Sequence, residues 1–419
     1  MPILVYTLAV MKYLKTVASL AFVVAVAVAV SAQGPAKTPG IPDTGKAAMT
    51  AQMNDAVKRG DAPGIAEIVV NREGVLYEGA SGLNTDAIFN IASMTKPVTS
   101  VAIMMLAEQG KLKIDDPVSK YLDGYDKLQV ISKFNAADAT YETRPAKTVM
   151  TIKHLLSHTS GIGYSFTSPI EYALVNKTKK NEWELPLLDD PGTKFNYSAS
   201  TRVLGLIVEK VTGSQLEPWY QEHIFKPLGM NDTSYAVPAG KQARLARQYT
   251  RYTGKVEPLP AAAVPSTPSA PYRGDGGLYS TIEDYSRFVR MLLNGGTLGS
   301  AKILSPESVK LMAQNAIGSI FVQTQPDADK QRTKPFPLGA GKDKFGLGFQ
   351  IAANDPAIKG FRSPGSMSWA GIFNTEFWVD PVRHVGGVHM MQLLPFYDDG
   401  AIRALRGFEE TVYKYLPGS

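Results

Sequence analysis

Ser93-Met94-Thr95-Lys96-Pro97-Val98-Thr99-Ser100-Val101-Ala102-Ile103-Met104-Met105-Leu106 is the stretch on which the fold reading turns. Val98, Val101, Ala102, Met105 and Leu106 recur at the period of a helix that buries one stripe. Pro97 fixes where that helix starts. Proline fits a first turn, whose N–H groups have no intrahelical acceptor, and disrupts an interior. Ser93 to Lys96 are therefore placed at the helix N-terminus, and Gly110 ends the helix. Residues three apart share a face of a helical turn, so Lys96 can reach Ser93. A serine hydroxyl is a weak nucleophile until a base takes its proton. The positive potential of a helix start favours negative charge on Oγ, and with burial it depresses a lysine pKa until the amine can be that base. Ser-x-x-Lys by itself is equally read as a capping serine beside a solvated lysine. Here no other serine has Lys at the third position on, and this one opens a buried helix.

On the N-terminal side, Ile65 to Asn71 and Val75 to Gly79 read as strands joined at Arg72-Glu73-Gly74, with a short helix expected from about Ala47. On the C-terminal side, a second amphipathic helix carries Val203, Leu204, Ile207, Val208 and Val211 and stops at Gly213. Ile282 to Leu293 reads as a third. Phe345 to Ile351, Ile372 to Val379 and Val385 to Leu393 read as three strands, and Asp399 to Tyr415 as a last helix. Strands at both ends around a mostly helical middle predict one α+β body. Its sheet is completed by the C-terminal strands, and the central helices form a subdomain.

Composition narrows the function. The 419 residues hold 44 Lys and Arg against 38 Asp and Glu, a net charge of +6, with no basic run and no aromatic-basic interleaving. That is not a nucleic-acid footprint. Cysteine is absent, which excludes disulfides, thiolate catalysis and cysteine-based zinc sites. Met11-Lys12-Tyr13-Leu14-Lys15, the apolar run Val17 to Val30, and Val30-Ser31-Ala32 follow the order of a signal peptide cleaved before Gln33. Residues 1–32 are thus expected to be removed, leaving no stable membrane anchor and a periplasmic or secreted protein. Residues 33–46 read as a flexible leader and 47–418 as the folded domain.

Two further segments carry chemistry. Tyr197 ends Pro191-Gly192-Thr193-Lys194-Phe195-Asn196-Tyr197, a turn into the second helix, where the dipole could favour a phenolate; taken alone it reads rather as a packing tyrosine with one hydrogen bond. Gly371, in Ser368-Trp369-Ala370-Gly371-Ile372, marks either a close approach of backbone or ligand or a β-bulge, and a backbone N–H there can pair with that of Ser93 as an oxyanion hole. His154 and His158 stand four apart like a zinc pair. Leu155 replaces the glutamate of the metalloprotease motif and no third ligand presents itself, so no metal is assigned.

Taken together, Ser93-Met94-Thr95-Lys96, Tyr197-Ser198-Ala199 and Trp369-Ala370-Gly371 resemble the serine β-lactamase and penicillin-binding protein superfamily, in its class C β-lactamase branch and most of all its family VIII esterases. His154-Leu155-Leu156-Ser157-His158-Thr159-Ser160-Gly161, Asp116-Pro117-Val118, Pro227-Leu228-Gly229-Met230 and Gly276-Gly277-Leu278 agree, and the likeness spans about residues 45 to 415. The resemblance implies a central antiparallel sheet flanked by helices, an all-helical subdomain and a cleft between them. It implies that Ser93 attacks a carbonyl, that Lys96 and Tyr197 relay its proton, and that the N–H groups of Ser93 and Ile372 hold the oxyanion, without metal or cofactor. Ala199 stands where class C β-lactamases have Asn, and Trp369 where they have Lys. Trp369, Ala370, Gly371 and Ala199 are thus the implied substrate contacts, and a small-molecule ester the implied substrate. A β-lactamase or D-Ala-D-Ala carboxypeptidase is the alternative enzyme, and a catalytically idle member binding peptidoglycan fragments or a partner the alternative of another class.

Overall fold

A computed structural model describes residues 40–261, 263–354 and 361–417. The expected signal peptide, residues 1–32, and residues 33–39 of the leader lie outside these. In chain order the elements that position the site are α1 (Asp43–Lys58), β1 (Ile65–Asn71), β2 (Val75–Ser81), α2 (Thr95–Glu108), β3 (Gln129–Asn135), β4 (Thr140–Pro145), α3 (Ile152–Leu156), α4 (Pro169–Thr178) and α5 (Ser200–Thr212). There follow α6 (Ile282–Leu293), β5 (Lys344–Phe345), β6 (Gln350–Ile351), β7 (Met367–Gly371), β8 (Thr375–Asp380), β9 (Val385–Met390) and α7 (Asp399–Tyr415).

Every residue of β1 is buried, and a strand buried throughout needs cover on both faces. Val69 packs on one side with Met49 of α1, Trp378 of β8, and Phe408 and Val412 of α7. Ile68 and Val70 face the other side, where α6 brings Phe288 and Val289. Successive strand residues point to opposite faces, so one apolar run serves both layers. The sheet has seven strands in the order β5-β6-β7-β8-β9-β1-β2, antiparallel throughout. The last strands of the chain thus close onto the first two: Val385 of β9 pairs with Asn71 of β1. This is the α+β class and the antiparallel sheet flanked by helices that the sequence predicts. The helical middle, α3 to α5, additionally carries the β3–β4 hairpin and so is not purely helical.

The structure corrects four boundaries. α1 starts at Asp43, inside the stretch read as leader, because Gly45 lets that turn sit directly against Tyr415 of α7. The strand expected over Phe345 to Ile351 is a tight hairpin, since Gly348 has φ +100°, a left-handed conformation that breaks a strand. The strand expected over Ile372 to Val379 is the β7–β8 hairpin, turned at Asn374 with φ +60°. Trp369-Ala370-Gly371 therefore lies on β7 itself. The last expected strand ends at Met390, and Leu393–Leu394 pairs separately with Tyr249–Thr250. Among the described residues no helix is long and apolar enough to cross a membrane.

Candidate active site

Ser93 sits in a single 3-10 turn, Ala92–Met94, that leads into α2. Ala92 is held at φ +41°, a left-handed conformation disfavoured for a residue with a Cβ. The Asn90 side chain fixes it by accepting from the Ala92 N–H at 3.0 Å, and Gln392 in turn donates to the Asn90 carbonyl at 3.0 Å. Strain of this kind survives only where surrounding contacts over-determine it. The serine does not cap the helix. Its Oγ instead accepts from Lys96 Nζ at 3.0 Å, which decides between the two readings of Ser-x-x-Lys.

Lys96 is 2% exposed, and its Nζ also donates to the Asp275 carbonyl at 2.7 Å. Burial disfavours its ammonium form and brings its pKa down to about 7; the Asp275 carboxylate opposes that and the Arg273 charge adds to it. At neutral pH a large share of Lys96 is thus the free amine. Asp275 is itself buried. Burial disfavours its charge, but Lys96, Arg273 and a 2.5 Å bond from the Tyr164 hydroxyl outweigh that and hold it at about 2. Arg273 binds it through Nη2 at 3.0 Å.

Tyr197 enters from the turn before α5, and its N–H donates to Gln325 Oε1 at 2.9 Å. Its ring centroid lies 5.0 Å from Lys96 Nζ and 4.9 Å from the Trp369 ring. The sequence suggests a phenolate here; the structure argues the reverse. Burial raises the Tyr197 pKa well above that of a free phenol, and the nearby Ser93 hydroxyl and Trp369 indole offset only part of it. The indole is close enough to act on the phenol, yet Trp369 Nε1 has no partner at hydrogen-bond geometry among the described residues. Tyr197 rests as a neutral phenol, a donor rather than a base.

β7 packs against the Ser93 turn. Gly371 makes that approach possible: a Cβ there would collide with the Ile91 carbonyl and Thr375 Oγ1. Close backbone approach, not a bulge, explains this glycine, since β7 pairs with β8 in unbroken register. Ser93, Tyr197, Trp369, Ala370, Gly371 and Ile372 line one cavity of about 320 Å³, within the range of small-molecule sites. As the second residue of its turn, Ser93 has an N–H with no acceptor inside the helix.

Ala199 is the exception among the expected contacts. It is fully buried at the start of α5, donates to the Gly163 carbonyl at 3.2 Å, and does not line the cavity. His154 and His158 part company: His154 Nδ1 accepts from the Thr151 N–H, whereas His158 Nδ1 meets Ser198 Oγ at 3.1 Å. Burial and the Lys96 charge hold His158 neutral, wedged between Tyr197 and Trp369. Among the described residues no group of three or more His, Asp or Glu is placed to hold a metal. The sequence reading misses Asp275, Arg273, Tyr164 and Gln325. Asp275 precedes Gly276-Gly277, which registers only as a turn, and Gln325 belongs to a segment without periodicity.

Known proteins similar to this chain are numerous. Protein Rv1367c of Mycobacterium tuberculosis is 34% identical over 346 residues, 78% of this chain and 82% of its own. Acyltransferase calJ of Penicillium decumbens is 28% identical, over 80% of this chain and 82% of its own. Lovastatin esterase of Penicillium rubens is 27% identical, over 78% and 86%. The solved structure of a LovD6 mutant of simvastatin synthase from Aspergillus terreus superposes with a TM-score of 0.75 at 26% identity, covering 89% of this chain and 96% of that one. Residues 49–410 match the family described as Beta-lactamase, and the chain belongs to that family.

Proposed function

We propose that this chain is a serine hydrolase that cleaves small acyl esters through an acyl-enzyme on Ser93. The observation that carries the reading is the 3.0 Å contact between Ser93 Oγ and a buried Lys96 whose pKa is brought down to about 7. In its free-amine form Lys96 takes the Ser93 proton as Oγ attacks the ester carbonyl. Neutral Tyr197 then gives its proton to the departing alkoxide and regains one from the Lys96 ammonium. Water repeats the sequence to release the acid. The N–H groups of Ser93 and Ile372 serve as oxyanion donors, a contact whose loss typically lowers kcat ~10²–10³-fold.

Ester rather than β-lactam chemistry is supported by Trp369. A neutral indole lining the cavity beside Tyr197 gives no charge-assisted bond to a substrate carboxylate, a bond worth ~1.5–3 kcal/mol. Relatives named as an acyltransferase and an esterase support transfer of the acyl group to an alcohol as the second reading, differing only in what attacks the acyl-enzyme. The order of residues 11–32 supports export to the periplasm or medium. The test is hydrolysis of aryl esters and cephalosporins by the purified protein, with and without an added alcohol. Short-chain aryl esters are expected to be cleaved with much the higher kcat/KM. A cephalosporin value equal to that of the best ester would put the β-lactamase reading first.

A further inference from the structure

The cavity does not end at the catalytic residues. Besides the catalytic residues, the same cavity is lined by Phe336, Leu338 and Phe396 and by a charged group of Arg362, Glu376 and Glu409. All three are largely buried, with side chains 16%, 9% and 9% exposed. Arg362 is committed to Glu409, which accepts from its Nε at 2.5 Å. Glu376 is not so provided for. Its Oε2 lies 3.9 Å from Arg362 Nη2, beyond hydrogen-bond reach, and it receives no hydrogen bond from the described residues. Buried carboxyl groups are ordinarily bonded, and one left open onto a cavity asks for a partner from outside. Its position is no accident of a flexible side chain. Glu376 pairs with Ala370 across β7 and β8, so it shares a sheet face with the middle residue of the Trp369-Ala370-Gly371 segment.

We propose that Arg362, Glu376 and Glu409 form the far wall of this cavity, a recognition site for a hydrogen-bond-donating end group, a hydroxyl or an ammonium, on a substrate whose apolar middle fills the cavity and whose ester carbonyl lies at Ser93. This rests on the hydrolase reading and adds the substrate class to it: amphiphilic esters, polar at the end remote from the scissile bond. The apolar stretch excludes short polar molecules from spanning the site. Arg362 is already engaged by Glu409, so these three residues offer an anionic end no uncommitted positive charge. Burial pushes the Glu376 acid up to about 8, partly offset by Arg362, so at neutral pH it offers a hydroxyl bond both an acceptor and a donor. An ammonium would instead draw off its proton and pair with the carboxylate.

Calorimetric binding to the Ser93→Ala protein tests this without turnover. Octyl acetate, 8-hydroxyoctyl acetate, 8-aminooctyl acetate and the acetate of 8-hydroxyoctanoate present the same chain with four end groups. The hydroxyl- or amine-ended chain is expected to bind roughly tenfold or more tighter than octyl acetate, and the carboxylate-ended chain more weakly than either. Which of the two donors binds better identifies the end group. Adding Glu376→Leu should erase the advantage; should that protein not fold, Glu376→Gln should erase the advantage of the amine alone. Equal or tighter binding of octyl acetate or of the carboxylate overturns the proposal, as does any advantage that survives Glu376→Leu or an amine advantage that survives Glu376→Gln. If the protein with Ser93 intact cleaves no ester, the hydrolase reading fails separately, while the binding series still reports on the far wall.

Discussion

Asp275→Asn changes the charge on Lys96 without moving it, which makes it a sharp probe of the proposed base. Lys96 is bonded to the Asp275 backbone carbonyl at 2.7 Å, and that bond is indifferent to the side chain. The asparagine oxygen can still accept from Tyr164 and from Arg273 Nη2, so only the bond from Arg273 Nε to the other carboxylate oxygen is lost. The other groups around Lys96 are Ser93, the rings of Tyr164 and Tyr197, and neutral His158, none of which carries charge at pH 7. Only the Asp275 carboxylate raises the Lys96 pKa, and Arg273 lowers it. Removing the carboxylate therefore removes the raising influence while Arg273 continues to lower the pKa, so the net change is downward. An opposite charge at this range is worth about one to three pKa units. Lys96 must be neutral to act, so kcat/KM for an aryl acetate should rise with pH through about 7 in the unmodified protein. In Asp275→Asn that limb should shift by about one unit or more towards acid. The assay is the pH profile of kcat/KM from pH 4 to 9, with circular dichroism confirming the fold. A limb that stays put or moves towards alkali would refute Lys96 as the base.

Gly371→Ala places a methyl against the Ile91 carbonyl and Thr375 Oγ1. It should cost about 1–3 kcal/mol of stability, read by denaturant unfolding, and lower kcat more than tenfold as β7 is pushed from the Ser93 turn; wild-type kcat would contradict the role given to β7. Glu376 has its pKa raised on folding to about 8, so its burial favours the folded state only while it is protonated. That contribution is complete below about pH 4.5 and declines as pH rises towards 8. Glu376→Gln cannot ionise, so its free energy of denaturant unfolding should gain on that of the unmodified protein as pH rises from about 4.5 to about 8, by a few kcal/mol at most; a constant difference would show that Glu376 titrates normally.

The chain states its local rules more plainly than its long-range ones. Pro97 and the Val98 to Leu106 stripe fix α2 and the place of Ser93, because both act within a few turns. β1, buried on both faces, is legible as an apolar run, and its partner β9 lies more than 300 residues on. What is missed are contacts that only tertiary packing creates. Asp275 is followed by two turn glycines and its value to Lys96 depends on a neighbour 179 positions away. Glu376 reads as a polar residue in a strand, and nothing local shows that Arg362 and α7 close over it. Ala199 differs the opposite way: the resemblance implies a substrate contact, and in the structure it is buried beside the Gly163 carbonyl and is not among the residues lining the cavity.

The central claim is that Ser93 is acylated. Intact-protein mass spectrometry after reaction with a fluorophosphonate, followed by peptide mapping, measures this directly. One adduct per chain on Ser93, absent from Ser93→Ala and strongly slowed in Lys96→Ala, is the predicted result. An adduct on any other residue, or ester hydrolysis undiminished in Ser93→Ala, would contradict the account.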